Sequence, residues 1–150
     1  MPLTIRKAKI NDLLKTFEWA NEKEVITNSI ERSKKVTIKE HSIWFKKYIM
    51  STSNTILIGS FNNEKIGLVR IDLKKKEFFI SYLIDKKKRN KGFGYRMLNK
   101  VITKHKYKKK IFKARVKQNN LASNSIFIKL GFKKKYTNQN KNIFLYRLET

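Results

Sequence analysis

The stretch Glu77–Lys104, EFFISYLIDKKKRNKGFGYRMLNKVITK, constrains the fold more than any other, because its apolar period changes within a few residues. Phe78 to Ile84 is rich in β-branched and aromatic residues and has the length of an ordinary strand. Met97, Leu98, Val101 and Ile102 then recur at i, i+1, i+4 and i+5, the spacing of one helix face. Between the two periods lies Arg89-Asn90-Lys91-Gly92-Phe93-Gly94. Two glycines permit positive φ and close approach of a ligand, and the free N–H groups of a helix start make a concave anion site strengthened by the helix dipole. A phosphate is the natural occupant. A dinucleotide fingerprint does not fit, because Met97 stands three residues after Gly94, and a P-loop does not fit, because no Gly-Lys-Ser/Thr follows.

Around this unit the chain supplies the rest of a mixed α/β domain. Leu3 to Arg6 predicts a first strand, and Asn11 or Asp12 is placed to cap a helix carrying Leu13, Leu14, Phe17 and Ala20. Residues 21–36 have no firm period and read as a loop with room for a helical turn near Val25 to Ser29. Thr37-Ile38-Lys39-Glu40 is a capping-box sequence that opens a second helix at Ile38. His41, Trp44 and Tyr48 fall on one side of that helix, either as core aromatics with a satisfied histidine or as a substrate wall. Thr55 to Phe61 and Lys65 to Leu73 are strands joined by Asn62-Asn63, residues that tolerate the left-handed conformation of a hairpin turn. With the Lys74 to Lys76 tip and the Phe78 to Ile84 strand they make an antiparallel meander. Ile111 to Lys117 follows a crossover helix and is therefore parallel to its neighbour. Asn120 to Leu130 is a helix with Ala122, Ile126 and Leu130 in register and Gly131 as its C-cap. Phe132 to Thr137 and Ile143 to Leu148 close the chain as a hairpin across an Asn-rich turn at residues 138–142. The expected architecture is a single domain over residues 1–150, with about seven strands in one mixed sheet flanked by about four helices.

The 150 residues carry 37 Lys and Arg against 11 Asp and Glu, a net charge of +26. Such an excess is the electrostatic footprint of a nucleic-acid or anionic-membrane binder, or a compositional bias. The second reading is favoured, since lysine far outnumbers arginine and recurs in every loop instead of along one stripe. No specific nucleic acid and no membrane partner are expected, although a diffuse positive field favours polyanionic substrates. No cysteine is present and only two histidines are, so neither a thiolate nucleophile nor a metal site is expected. The N-terminus lacks an apolar signal core and no stretch reaches the length of a membrane span, the pattern of a soluble cytoplasmic protein.

The glycine turn matches the pattern Arg/Gln-x-x-Gly-x-Gly/Ala, and Asn120-Leu121-Ala122-Ser123 with Phe127-Ile128-Lys129-Leu130-Gly131-Phe132 matches a second motif of the same family. With the predicted element order, the whole chain resembles the GNAT superfamily of acetyl-CoA-dependent N-acetyltransferases. The resemblance implies acetyl-CoA as co-substrate, with its pyrophosphate on Arg89, Asn90, Lys91, Gly92, Phe93, Gly94 and Tyr95. It further implies pantetheine along Tyr82, Leu83 and Ile84, where the strand splays from its parallel neighbour, and beside Asn120 and Ser123. Two positions depart from the family pattern. Phe127 stands where the usual general-acid tyrosine is found, and Arg115 where ribosomal-protein acetyltransferases carry a glutamate base. The acid is then solvent or another hydroxyl such as Tyr82.

Trp19-x-Asn21 and His41-x-x-Trp44-Phe45 resemble acetyltransferases of nucleotide-linked amino sugars, most nearly those acting on the UDP-linked 4-amino-dideoxy sugar of pseudaminic acid biosynthesis. Trp19, Asn21, His41 and Trp44 are then expected against the acceptor, with His41 as base or orienting group. The alternatives are acetylation of a protein amine of the ribosomal-protein type, and a non-catalytic module that binds CoA or nucleic acid.

Overall fold

The computed structural model describes residues 2–136 and 142–150. The first strand, β1, is Thr4–Lys7, followed by the helices α1 (Leu13–Ala20), α2 (Lys23–Asn28) and α3 (Ile38–Met50). Three strands follow, β2 (Thr55–Phe61), β3 (Glu64–Lys74) and β4 (Glu77–Ile84). The chain then runs through α4 (Phe93–Ile102), β5 (Ile111–Lys117), α5 (Leu121–Lys129), β6 (Lys133–Tyr136) and β7 (Ile143–Glu149). The meander turns at Asn62 and Asn63, whose φ of 52° and 64° are the left-handed values their short amide side chains tolerate. The expected turn at residues 138–142 falls largely outside the described residues.

All seven strands form one sheet in the order β1-β2-β3-β4-β5-β7-β6. Every pairing is antiparallel except β4 with β5, the pair joined by the α4 crossover. That parallel ladder is short. It pairs Glu77 with Ile111, Phe78 with Phe112 and Phe79 with Lys113, while on its other side β4 stays paired to β3 as far as Ile84. From Ile80 to Ile84 the β5-facing edge of β4 therefore opens into a gap.

Alternation along the strands divides the core in two. One face packs Val69, Ile71, Ile80, Phe112, Ala114 and Tyr146 against Met97, Leu98 and Val101 of α4 and Phe127 of α5. The other packs Ile56, Ile58, Leu68 and Leu83 against Trp19 of α1 and Phe45 of α3. On this second face, register places Phe79 and Ser81 of β4, Lys113, Arg115 and Lys117 of β5, and Arg147 of β7 side by side.

Three local expectations are corrected. Asp12 does not cap α1: its carboxylate is fully buried, accepts from the Lys9 N–H at 2.8 Å, and is paired with Arg6 at 2.8 Å and Lys65 at 2.7 Å. Burial alone would raise its pKa, but these three partners outweigh burial and hold it well below the usual carboxylate range. Leu14 is 71% exposed, because the face of α1 that meets the core runs through Thr16 and Trp19. Ala122 is exposed, while Phe127 anchors α5. The Thr37 capping box forms in both directions, with Glu40 N–H donating to Thr37 Oγ1 at 3.1 Å and Thr37 N–H to Glu40 Oε1 at 2.9 Å.

Candidate active site

Helix α4 starts on Gly92, which is left-handed at φ 79°, preceded by Asn90 at φ 60°. The first helical hydrogen bond is closed by Arg96 N–H to the Gly92 carbonyl at 3.2 Å. The N–H groups of Phe93, Gly94 and Tyr95 accordingly have no intrahelical acceptor and point out of the helix end. A Cβ built at Gly92 meets nothing within 4 Å, so the space beside this residue is open. A helix end of this kind could hold an anion such as a pyrophosphate, by its free donors and the sign of its dipole.

Gly94 plays a different part. A Cβ there would lie 2.9 Å from Ile126 Cδ1 and 3.0 Å from Tyr82 Cε2, so this glycine lets α4 pack against α5 and β4. Arg89 is also reassigned: its guanidinium is engaged by the carboxylates of Glu22 and Glu24, which ties the turn to α2. Asn90 and Lys91 are exposed at the rim.

Tyr82 projects between α4 and α5, its hydroxyl 2.7 Å from Ser123 Oγ. Burial raises the phenol pKa, which the Ser123 hydrogen bond only partly offsets. Asn120 caps α5 by accepting from the Ser123 N–H at 3.3 Å. Leu83 and Ile84 lie where the β5-facing edge of β4 is open. Tyr82, Leu83, Ile84, Asn120, Ser123 and the glycine turn are thus brought together along the gap. Phe127, at the family's tyrosine position, is 2% exposed and stacks on Tyr146 at 5.8 Å, so the ring is core.

The expected acceptor residues divide. His41 is 4% exposed, lies 2.9 Å from Thr16 Oγ1 through Nε2, and packs against the rings of Phe17 and Phe45. Burial, then the Arg32 charge, lower its pKa, so the ring is neutral at neutral pH. A base must come within hydrogen-bond reach of its proton or act through one water. A ring closed in between α1 and α3 is a structural member of that interface.

Trp19 is 1% exposed and donates its indole N–H to Asp85 Oδ2 at 2.8 Å, fixing the residue that leads into the glycine turn. Asn21 spends both ends of its amide on Val36, accepting from its N–H at 2.8 Å and donating to its carbonyl at 2.9 Å. Neither presents a polar group to an acceptor. Trp44 remains half-buried beside Tyr48, at 4.8 Å between ring centroids.

Sequence reasoning missed the charged cluster across this face. Glu31, from the segment between α2 and α3, lies 3.1 Å from Arg70 of β3 and 3.8 Å from Arg115 of β5. Arg70 is also 3.3 Å from Asp72, which accepts from the Tyr48 hydroxyl. Burial would raise the Glu31 pKa, but Arg70, then Arg115 and Lys74, hold it below its ordinary value. Arg70-x-Asp72 on a predicted strand was the available signal, since alternate residues share a face; nothing local pointed to Glu31. A cavity of about 260 Å³ lies away from the gap, at the opposite end of the sheet beside Tyr48, Phe78 and Tyr107.

Comparison with solved structures gives the same architecture at low identity. A ribosomal-protein alpha-N-acetyltransferase solved with coenzyme A is 16% identical, with 98% of this chain and 93% of that chain covered and a TM-score of 0.83. Spermidine N-acetyltransferase from Vibrio cholerae, solved with CoA and spermine, is 15% identical over 98% and 95% of the two chains, at 0.83. An aminoglycoside acetyltransferase solved with coenzyme A is 15% identical over 99% and 95%, at 0.81. No curated protein matches. A family model described as the acetyltransferase (GNAT) domain matches residues 2–133, which include the glycine turn, the gap in the sheet and α5. On that match this chain belongs to the GNAT family of acetyl-CoA-dependent N-acetyltransferases.

Proposed function

We propose that this chain transfers acetyl from acetyl-CoA to an amine carried on an anionic small molecule, with a nucleotide-linked amino sugar as the acceptor class. The observation that carries this reading is the charge of the sheet face beyond α1 and α3. Arg70 and Arg115 flank the gap there, with Lys113 and Lys117 in line on β5. A polycationic acceptor such as a polyamine would approach like charges, whereas a sugar diphosphate would be drawn in and oriented. Phe79, with Arg115 at 6.0 Å and Lys74 at 5.3 Å from its ring, and Trp44, half-buried beside Tyr48, add aromatic surface suited to a base ring. A second reading, an acidic polypeptide amine, is favoured by the continuation of the basic face onto β7 and β6, where Lys133 stands opposite Arg147 and Lys135 opposite Leu145.

In this reading the pyrophosphate sits on the amides of residues 90–95 and pantetheine follows the open edge of β4 past Tyr82, Leu83 and Ile84, with Asn120 and Ser123 on its α5 side. When bound, acetyl-CoA supplies the activated acyl group as a thioester. The neutral amine attacks the carbonyl carbon in a ternary complex, and N–H groups along the open edge of β4 meet the oxyanion. Collapse breaks the carbon–sulfur bond. The phenol of Tyr82, kept protonated at neutral pH by burial, is the group with a proton to give to the departing sulfur, and the acceptor nitrogen loses its proton to water.

The test is acetyl-CoA turnover against UDP- and dTDP-linked amino sugars, acidic peptides and polyamines. Highest kcat/KM on a nucleotide sugar supports the reading. Preference for a polyamine overturns it, and preference for an acidic peptide selects the second.

A further inference from the structure

We infer that Arg70 and Arg115 form an anion subsite at the acceptor side of the gap, and that Glu31 is its built-in occupant, displaced when an anionic acceptor arrives. This rests on the proposal that the acceptor is anionic and assigns residues to its recognition. Arg70 pairs in register with Ser81 of β4, and Arg115 lies two residues beyond Lys113, the last β5 residue paired to β4. The two guanidiniums therefore stand on either side of the opening, and the Glu31 carboxylate spans them.

The cluster holds more positive charge than its own carboxylates neutralise. Arg32, Arg70, Arg115 and Lys74 act on it or on one another, against Glu31 and Asp72: four positive groups and two negative, a surplus of two. Arg70 is the most enclosed of them. Its Nε is buried without a hydrogen bond, because Asp72 at 3.3 Å is close enough for attraction but not aligned to accept. A buried donor of this kind costs free energy until an acceptor arrives.

Glu31 is suited to leave. Its side chain is 50% exposed and that of Arg115 42%, so the 3.8 Å contact between them faces solvent and is weakly held, and the carboxylate is retained by Arg70, which donates to both its oxygens at 3.1 and 3.4 Å. The backbone around it is anchored independently, by Asn21 on Val36 and by the Arg32 guanidinium donating to the Ala20 carbonyl at 2.6 Å. A rotamer change of one side chain is enough. A phosphate brings more charge and more acceptor atoms than one carboxylate, and guanidinium forks bind it bidentately. The same arginines make Glu31 a poor proton acceptor, which argues against a role as base.

The subsite is tested by titrating inorganic pyrophosphate and UDP into the protein saturated with CoA, so that the glycine turn is already filled. Glu31→Gln is expected to tighten binding of both probes by about fivefold or more, since the internal competitor loses its charge, while Arg115→Gln weakens it by about tenfold. CoA affinity should stay within twofold of the parent in both variants. Unchanged or weaker probe binding in Glu31→Gln overturns the inference, as does unchanged binding in Arg115→Gln. If these binding results fail while the turnover panel still selects a nucleotide sugar, only the subsite falls. If they hold while the panel selects an uncharged amine, the subsite stands and the acceptor reading falls.

Discussion

Replacing Gly92 by valine puts a β-branched side chain on a residue at φ 79°, immediately before α4, with no protein atom within 4 Å of the new Cβ. The cost to the fold is thus conformational and not steric. A left-handed residue with a Cβ costs about 1–2 kcal/mol, somewhat more when β-branched, against a typical domain stability of about 5–15 kcal/mol. The urea midpoint should fall by about 1 M and the domain should remain folded. Cofactor binding should respond differently, because the valine stands on the residue that directly precedes the free amides of Phe93, Gly94 and Tyr95. Hydrogen bonds to a charged acceptor are worth about 1.5–3 kcal/mol each, so losing two costs about 3–6 kcal/mol. CoA affinity should fall by about 10²–10⁴-fold. Urea melts and calorimetric titration with CoA read the two effects separately. A folded Gly92→Val protein that binds CoA within twofold of the parent would refute the placement of the pyrophosphate. Gly94→Val cannot make this separation, since its side chain would collide with Ile126 and Tyr82 and lose about 1–3 kcal/mol by overpacking.

His41→Ala should lose about 2–4 kcal/mol of stability, from the cavity and the lost Thr16 contact, with kcat within about threefold of the parent; a drop of about 10²-fold in a stable variant would make His41 the base. Because the folded His41 pKa lies below the unfolded value of ~6.5, the unfolded chain binds the extra proton. Stability should therefore fall as pH drops below ~6.5, a slope that His41→Phe should flatten in pH-dependent urea melts. Asp12→Ala should cost about 3–5 kcal/mol by leaving Arg6 and Lys65 without their buried partner. Since its carboxyl pKa is lowered in the folded state, the parent should keep this stability above ~pH 4 and lose it as pH falls further, and the variant should lack that acid transition. Binding to random duplex DNA should be weak at ~0.15 M salt and fall steeply as salt rises; a tight component that survives would make the +26 charge functional.

The sequence determined the elements and the glycine turn, because these depend on near neighbours. A change from period two to helical period places a strand, a turn and a helix, and only residues inside that window decide it. Thr37 with Glu40, Asn62 with Asn63, and Gly131 at φ 96° are likewise local chemistry, and each is seen in the structure. The short β4–β5 ladder was legible only through resemblance to a family.

What tertiary structure alone decided is which side chains still have a free polar group. Trp19, Asn21 and His41 looked like acceptor residues along the chain, yet Asp85, Val36 and Thr16, 66, 15 and 25 residues away, engage the Trp19 N–H, the Asn21 amide and His41 Nε2. Arg89 looked like a phosphate ligand until Glu22 and Glu24 reached it. Glu31 comes from a segment without any period and is paired with Arg70 and Arg115, on strands that are not neighbours in the sheet. Backbone conformation follows from the residues on either side. Pairing of charges and hydrogen bonds follows from what the fold brings within about 3 Å, and no local rule sets that distance.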